Sequence, residues 1–340
     1  MTVKINLQTI AADLLAAGKV DVLIGYEAGS LPLSATPLIL HADSPRRSLQ
    51  RSLGKSAPVS EDKSRYDHDA AKLIFDARCA MNLVNLLHKF KDKKVAVVVK
   101  GCDSRSLIGL IQEKQLVREN LVIIGAPCRG VIDLHRLFNL LGSDSPASAV
   151  LENNQISAVC HDKTERIELN DVLYPACREC PVHNPLIADY LIAETVEQPE
   201  VPDISPEVAA VRQMSCDERW RRFQHEMQKC ILCYACRNLC PACYCRECFA
   251  DISQPKLLGR TADPADAMFF HLLRLMHLGG RCTGCGACVR GCPVGVDLRL
   301  YNDDLRQHMK KQYGFEAGLD PQGEPPLACF KPDDPDDFVM

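Results

Sequence analysis

Four cysteines stand close together twice in this chain, in the pattern Cys-x-x-Cys-x-x-Cys-x-x-x-Cys-Pro, from Cys230 to Pro241 and again from Cys282 to Pro293. Four thiolates at this spacing, followed by proline, are typical of the bacterial ferredoxin run that holds a [4Fe–4S] cube, because the short gaps let one loop wrap three corners of the cube. Zinc also binds four thiolates, but its sites usually split the ligands into two separated pairs. The two contiguous runs therefore predict two iron–sulfur clusters and electron transfer.

In proteins with two such clusters, the fourth cysteine of each run binds the cluster of the other run. We therefore predict that each cluster takes three ligands from one run and one from the other. Cluster one is expected on Cys230, Cys233, Cys236 and Cys292, and cluster two on Cys282, Cys285, Cys288 and Cys240.

The composition favours a reducing compartment and gives no sign of a membrane or nucleic-acid partner. The chain has 340 residues, 19 of them cysteine, with neither a signal-peptide pattern nor an apolar stretch long enough to span a membrane. We expect a cytoplasmic protein whose thiols are reduced or metal-bound. The net charge is −4, and the densest basic patch, RWRR at 219–222, is expected to be a solvated helix face or a docking patch.

Strands and helices alternate along the first half of the chain. Strands are expected at 20–26, 93–101, 120–127 and 156–162, and helices at 5–17, 67–90, 103–115 and 130–142. This alternation predicts an α/β domain with a mostly parallel sheet, and the cysteine runs predict a helical two-cluster ferredoxin domain after it.

Shifts in composition mark the expected domain boundaries. We predict an α/β domain over 1–196, a linker rich in proline and acid over 197–207, a two-cluster ferredoxin domain over 208–313 and a tail over 314–340. The tail is rich in proline and aspartate, and we expect it to pack against a partner or to stay mobile.

A second group of cysteines lies in the first half, without a contiguous motif. Its members are Cys128, Cys160, Cys177 and Cys180. Cys128 follows one predicted strand and Cys160 ends another, and strand ends converge at one edge of a parallel sheet. Buried free cysteine is also common as a small apolar residue, so the spacing alone leaves a third metal site and ordinary packing equally open.

Three further cysteines, Cys243, Cys245 and Cys248, follow the first run. They could supply part of another cluster or a zinc site, with Cys216 or a partner's residue completing the set. Three thiolates are incomplete for a closed tetrahedral site, so we favour spare thiols. In the helix pattern FFHLLRLMHL that follows, we expect the apolar residues from Phe269 to Met276 to shield cluster two from water.

The first half resembles the beta subunits of deazaflavin-reducing hydrogenases and related formate dehydrogenases over about 20–195. The segments that carry the resemblance are IIGAPC at 123–128, SAVC at 157–160 and CREC at 177–180. In that family the matching cysteines hold a [4Fe–4S] cluster, so the resemblance implies a third cluster on Cys128, Cys160, Cys177 and Cys180. The second half resembles iron–sulfur subunits of formate dehydrogenase and heterodisulfide-reductase-type complexes.

Flavin-binding members of that family carry adjacent glycines near the N-terminus, whereas the only such pair here is Gly279-Gly280, in the second half. FAD is therefore the least supported cofactor. If a flavin is bound, its pyrophosphate is expected at residues 100–105, where a strand turns into a helix and Lys100 and Arg105 could add charge. The alternative, which we favour, is that Asp103 or Ser104 caps the helix and Arg105 pairs with a surface acid.

Two or three cubes on one polypeptide form a path for electrons, and no hydrolytic or nucleotide-binding motif accompanies them. The leading expectation is an iron–sulfur electron-transfer subunit that connects a formate dehydrogenase or hydrogenase type of catalytic subunit to a heterodisulfide-reductase-like or flavin module. The alternative is a flavin-containing subunit that exchanges hydride with a deazaflavin or nicotinamide. A redox-sensing iron–sulfur scaffold is a third, weaker hypothesis, because sensing does not need paired ferredoxin motifs.

Overall fold

A computed structural model describes residues 6–42, 63–143, 146–160, 163–202, 204–259, 261, 263–326, 328–329 and 332. It divides into two compact units. The first comprises Met1–Ser104 and Leu116–Val201, and the second comprises Arg105–Gln115 and Pro202–Met340. The end of the proline- and aspartate-rich tail lies largely outside the described residues.

The first unit is built on a five-stranded sheet in the order β2-β1-β3-β4-β8. Its strands are β1 (Val22–Ala28), β2 (Ala35–His41), β3 (Val95–Val99), β4 (Leu121–Gly125) and β8 (Tyr190–Leu191). β2 pairs with β1 antiparallel, and all other neighbours are parallel. Every residue of β3 is buried, as is usual for a valine-rich strand covered on both faces. The mostly parallel α/β sheet is confirmed.

A second sheet of the first unit is antiparallel, with β6 between β5 and β7. Its strands are β5 (Ser148–Glu152), β6 (Gln155–Cys160) and β7 (Lys163–Glu168). The strand expected at 156–162 is therefore present, but it does not join the parallel sheet. The cause is local, because Asn153 and Asn154 both adopt positive φ and form the two-residue turn that favours a hairpin.

Helices alternate with these strands along the first half of the chain. They are α1 (Leu7–Ala16), α2 (Lys63–Ala70), α3 (Gly101–Gln112), α4 (Leu134–Leu141) and α5 (Pro175–Arg178), with 3₁₀ helices at Leu83–Phe90, Arg118–Asn120 and Leu169–Val172. α3 contributes residues to both units. The continuous helix expected at 67–90 is wrong, because the Ile74 amide pairs with the Tyr26 carbonyl of β1 at 2.9 Å and Asn82 caps a new 3₁₀ helix.

The second unit is helical, as predicted for this half of the chain. Its helices are α6 (Pro206–Arg212), α7 (Cys216–Gln228), α8 (Ala235–Asn238), α9 (Pro264–Leu278), α10 (Ala287–Arg290) and α11 (Arg299–Tyr313). Its core joins Phe223 and Met227 of α7 to Phe270 of α9, with Val296 and Leu298. No helix among the described residues is both long and apolar enough to cross a membrane.

Candidate metal centres

The two cysteine runs fold into the same local structure. In each, a residue with positive φ, Tyr234 (58°) or Gly286 (71°), precedes a one-turn helix, α8 or α10. That helix carries the third cysteine of its run, and the fourth cysteine follows in the next turn, with Cys240 N donating to the Arg237 carbonyl at 3.2 Å. The repeated sequence is therefore also a repeated loop, which presents four thiols over a short length of chain.

The thiols predicted for cluster two line one cavity of the second unit. They are Cys240, Cys282, Cys285 and Cys288. The pKa of Cys282 is raised to about 12, mainly by burial and also by the nearby Cys240 and Cys285 thiols. The Cys288 pKa is also raised, by burial and by the same neighbours. Cys240, which belongs to the first run, therefore lies among the thiols of the second run.

The thiols predicted for cluster one show the reciprocal arrangement. Burial raises the pKa of Cys236 to about 11, and the thiols of Cys230, Cys292 and Cys233 contribute to the rise. Backbone amides point at two of these sulfurs, from Leu232 to Cys230 at 3.4 Å and from Val296 to Cys292 at 3.2 Å. Amide donors stabilise sulfur in its thiolate form and are one of the factors that set the reduction potential of a bound cluster.

This donor set fits a cube. Among the described residues, no group of three or more His, Cys, Asp or Glu side chains is arranged to hold a single metal ion. A [4Fe–4S] cube binds its four thiolates at four separate irons, so its ligands surround a volume instead of one point. Neighbouring thiols, most of them at least partly buried and some with amide donors, are chemically suited to such a group, which could accept and release single electrons.

The structure adds two residues of α9 that the sequence did not mark as part of the site. His271 is buried, and its Nε2 lies 3.4 Å from the Cys230 sulfur. Burial and then the neighbouring Arg274 charge lower the pKa of His271 to about 4, so the ring is neutral near pH 7. Arg274 is only 3% exposed and donates from Nη2 to the Cys236 carbonyl at 3.1 Å. In the sequence, the feature that could have pointed to Arg274 is that it is the single arginine of a largely apolar helix.

The shielding role expected of α9 needs a correction. Its buried face consists of Ala267, Phe270, His271, Arg274 and Leu278. Phe269, Leu272 and Met276 are exposed, with 68% of Met276 accessible, so these three do not shield a cluster. The buried Phe270 packs in the core beside cysteines of both runs. Two polar side chains of the helix are therefore buried, whereas several of its apolar side chains are exposed.

The cysteines of the first unit are only partly brought together. Cys128 follows β4, and its amide donates to the His183 carbonyl at 2.8 Å, which places the segment after Cys180 beside it. Burial raises the pKa of Cys128 to about 12, and the Cys177 thiol adds to the rise. Cys160 is buried at the end of β6 in the other sheet, and among the described residues no hydrogen bond joins it to these thiols.

The three cysteines after the first run share a second cavity, which adjoins the first and has Arg274 in its lining too. Cys243, Cys245 and Cys248 line it together with several arginines. Cys216, proposed as their fourth partner, lines a different cavity and is exposed. The spare-thiol interpretation and an extra site completed by another protein both remain predictions.

The segment at residues 100–105 directs its charges into the protein. Lys100 is 2% exposed, forms an ion pair with Asp103 at 2.9 Å and donates to the Tyr26 hydroxyl. Asp103 caps the helix start by accepting from the Lys100 amide at 3.2 Å. The Arg105 guanidinium donates to the Ala317 carbonyl at 2.8 Å, and its pairing with a surface acid stays a prediction. This arrangement gives no support to a flavin pyrophosphate there.

Sequence comparison with known proteins agrees with the family resemblance of the cysteine-containing segments. No protein-family model matches the chain. It is 23% identical over 309 residues to the F420-dependent formate dehydrogenase subunit beta of Methanocaldococcus jannaschii, covering 72% of this chain and 79% of the relative. It is also 23% identical over 300 residues to the F420-dependent formate dehydrogenase 1 subunit beta of Methanococcus maripaludis, covering 70% and 76%.

A solved chain of the F420-reducing [NiFe] hydrogenase complex from Methanosarcina barkeri aligns at 11% identity, over 52% of this chain and 58% of that chain. Its TM-score of 0.35 is too low to establish a common fold. The sequence comparisons carry the conclusion: this chain resembles the beta subunits of F420-dependent formate dehydrogenases over about 70% of its length.

Proposed function

We propose that this chain is an iron–sulfur electron-transfer subunit of an oxidoreductase complex. The observation that carries the proposal is the crosswise grouping of the two cysteine runs. Cys240 shares a cavity with the first three cysteines of the second run, and Cys292 is coupled to those of the first run. This exchange of the fourth ligand is the arrangement by which two-cluster ferredoxins bind a pair of [4Fe–4S] cubes.

In this proposal the bound cubes would supply one-electron transfer, and the chain's own residues would hold and protect them. The eight thiols of the two runs would be the ligands, as assigned from the spacing. Amides of Leu232 and Val296 would donate to ligand sulfurs, and Phe270 would exclude water from the core between the runs. No residue is assigned a catalytic role, so substrate conversion belongs to a partner.

The named relatives support a complex of this kind, because both are beta subunits of formate dehydrogenases. The finer proposal is that the chain relays electrons between a catalytic subunit of formate dehydrogenase or hydrogenase type and a heterodisulfide-reductase-like or flavin module. The relatives' dependence on F420 favours a second candidate, a flavin-containing subunit that exchanges hydride with a deazaflavin.

A third cluster on the first unit is part of the proposal. Cys128 and Cys177 are coupled, and the Gly130 amide donates to the Cys128 sulfur at 3.4 Å, as amides do to the sulfurs of the two runs. Cys160 and Cys180 would complete the set. Iron content distinguishes a chain with two clusters from a chain with three, since two cubes contain about 8 irons and three contain about 12.

The test is anaerobic analysis of iron, zinc and flavin in the purified full-length chain, with EPR of the reduced protein. Cys240→Ser and Cys292→Ser should each lose about 4 irons per chain, whereas Cys216→Ser, at an exposed position outside the runs, should lose none. Cys128→Ser distinguishes the third cluster in the same way. Zinc in place of iron in the wild-type chain would refute the proposal, and stoichiometric flavin would favour the second candidate.

A further inference from the structure

Arg274 carries a positive charge in the interior of the second unit. It lies on the buried face of α9 with 3% of its surface exposed. Among the described residues, no carboxylate forms an ion pair with it. By contrast Arg299, also buried in the second unit, is paired with Glu207 and Asp303. An unpaired buried charge is costly, so Arg274 requires a negative partner of another kind.

The groups around Arg274 are the cysteines of both runs. Its Nη2 donates to the Cys236 carbonyl at 3.1 Å, in the first run. It lines the cavity that also holds Cys240 and Cys288. It also lines a neighbouring cavity that holds Cys243. Its Nε hydrogen has no acceptor.

We propose that Arg274 is the internal counter-cation shared by the two clusters, holding their reduction potentials above the value that eight thiolates would otherwise impose. The inference rests on the proposed two-cluster function. Each reduction adds one negative charge to a buried group, and a fixed cation beside it favours the reduced state. Arg274 is thus a residue that tunes the clusters, and it does not bind iron.

The position of Arg274 predicts that both clusters feel its charge. It contacts the backbone of Cys236, a ligand of cluster one, and lines the cavity that holds all four ligands of cluster two. Loss of the charge should therefore lower both potentials, with the larger change at cluster two. A residue that only filled space would leave both potentials unchanged after a replacement of similar volume.

The experiment is an EPR-monitored redox titration of the full-length chain with Arg274→Gln, Arg274→Met and Arg274→Lys, alongside iron analysis of each variant. In the neutral variants we expect the one-electron reduction equilibrium of cluster two to become at least tenfold less favourable, a fall of about 59 mV. Arg274→Lys keeps the charge and should stay within about threefold of the wild type. Arg212→Gln, at an arginine outside the two runs that is paired with Asp304, is the matched control and should change little.

The outcomes separate this inference from the function on which it rests. A wild-type chain without iron would refute the two-cluster function itself. Neutral variants with full iron and wild-type potentials would overturn the counter-cation role alone. If the neutral variants fail to retain iron, the comparison moves to Arg274→Lys, which the proposal requires to retain it. A lysine variant that loses iron, or that shifts as far as the glutamine variant, overturns the role of charge.

Discussion

Lys100 and Asp103 form an ion pair in the interior of the first unit, and removing one charge should weaken that unit strongly. Lys100 Nζ lies 2.9 Å from Asp103 Oδ2, and 2% and 0% of the two side chains are exposed. Burial alone would lower the pKa of Lys100, but Asp103 and then Tyr26 raise it well above its usual value. The ammonium is therefore charged in the folded protein and depends on the carboxylate.

Asp103→Asn isolates the effect of the charge. The amide oxygen of asparagine can still accept from the Lys100 backbone N–H, so the helix cap is kept while the negative charge is lost. The remaining partners of the ammonium are the Tyr26 hydroxyl and the Met81 carbonyl. Breaking a buried pair by removing one partner costs about 3–5 kcal/mol. The double variant Lys100→Met/Asp103→Asn leaves no buried charge and should cost far less than the two single variants combined.

Hydrogen–deuterium exchange of peptides from β1 and β3 measures this cost inside the intact chain. A loss of about 3–5 kcal/mol corresponds to exchange roughly a hundredfold to several thousandfold faster wherever global opening of the unit controls it. An Asp103→Asn chain whose exchange rises less than about threefold would refute the reasoning. So would a double variant whose cost equals the sum of the single variants, because the two charges would then be energetically independent.

Two further perturbations test other parts of the structure. Gly101→Ala should destabilise the first unit by about 1–3 kcal/mol, because a Cβ there would lie 2.0 Å from the Val182 carbonyl oxygen. Gly109→Ala on the same helix is the control: its Cβ would enter open space, so it should stabilise the protein by about 0.5–1 kcal/mol. Equal losses of stability for the two variants in urea unfolding would contradict the steric argument. For Glu226, burial alone would raise the pKa, but the Asp297 amide and a lysine hold it below its usual 4.5. The stabilisation that the Glu226 carboxylate gives the folded protein is therefore complete above pH 4.5 and is lost as the pH falls through the lower pKa of the folded state. Glu226→Gln should therefore cost about 1 kcal/mol near pH 7 and progressively less below pH 4.5, and a cost that is constant with pH in exchange of α7 peptides would contradict this.

Much of the first unit could be predicted because its signals are local. β3 and β4 are short β-branched runs between helical segments, and these patterns predicted buried parallel strands within a few residues of their ends. The edge strand β2 was missed because its residues do not alternate clearly in hydrophobicity. The helix at 67–90 was over-extended because its apolar spacing continues through Ile74, which instead pairs with β1.

The face of α9 shows where a pattern of apolar residues misleads. Hydrophobicity favours burying Phe269, Leu272 and Met276, yet these are exposed, whereas His271 and Arg274 are inside. The helix phase is set by Phe270 and its neighbours in the core, and two polar residues are stable there because thiols lie opposite them. Nothing in the sequence of the helix alone identifies those partners.

The sequence by itself identified the cysteines of this protein that could bind a metal cluster. The repeated spacing of four cysteines fixes a short loop that can wrap a cube, and spacing along the chain is a local property that needs no tertiary contact to read. Only the tertiary structure placed Cys240 among the cysteines of the second run and Cys292 beside Cys236. It alone turned the Arg274 charge toward both sets of thiols, because long-range packing decides which distant residues meet and which charges lose contact with water.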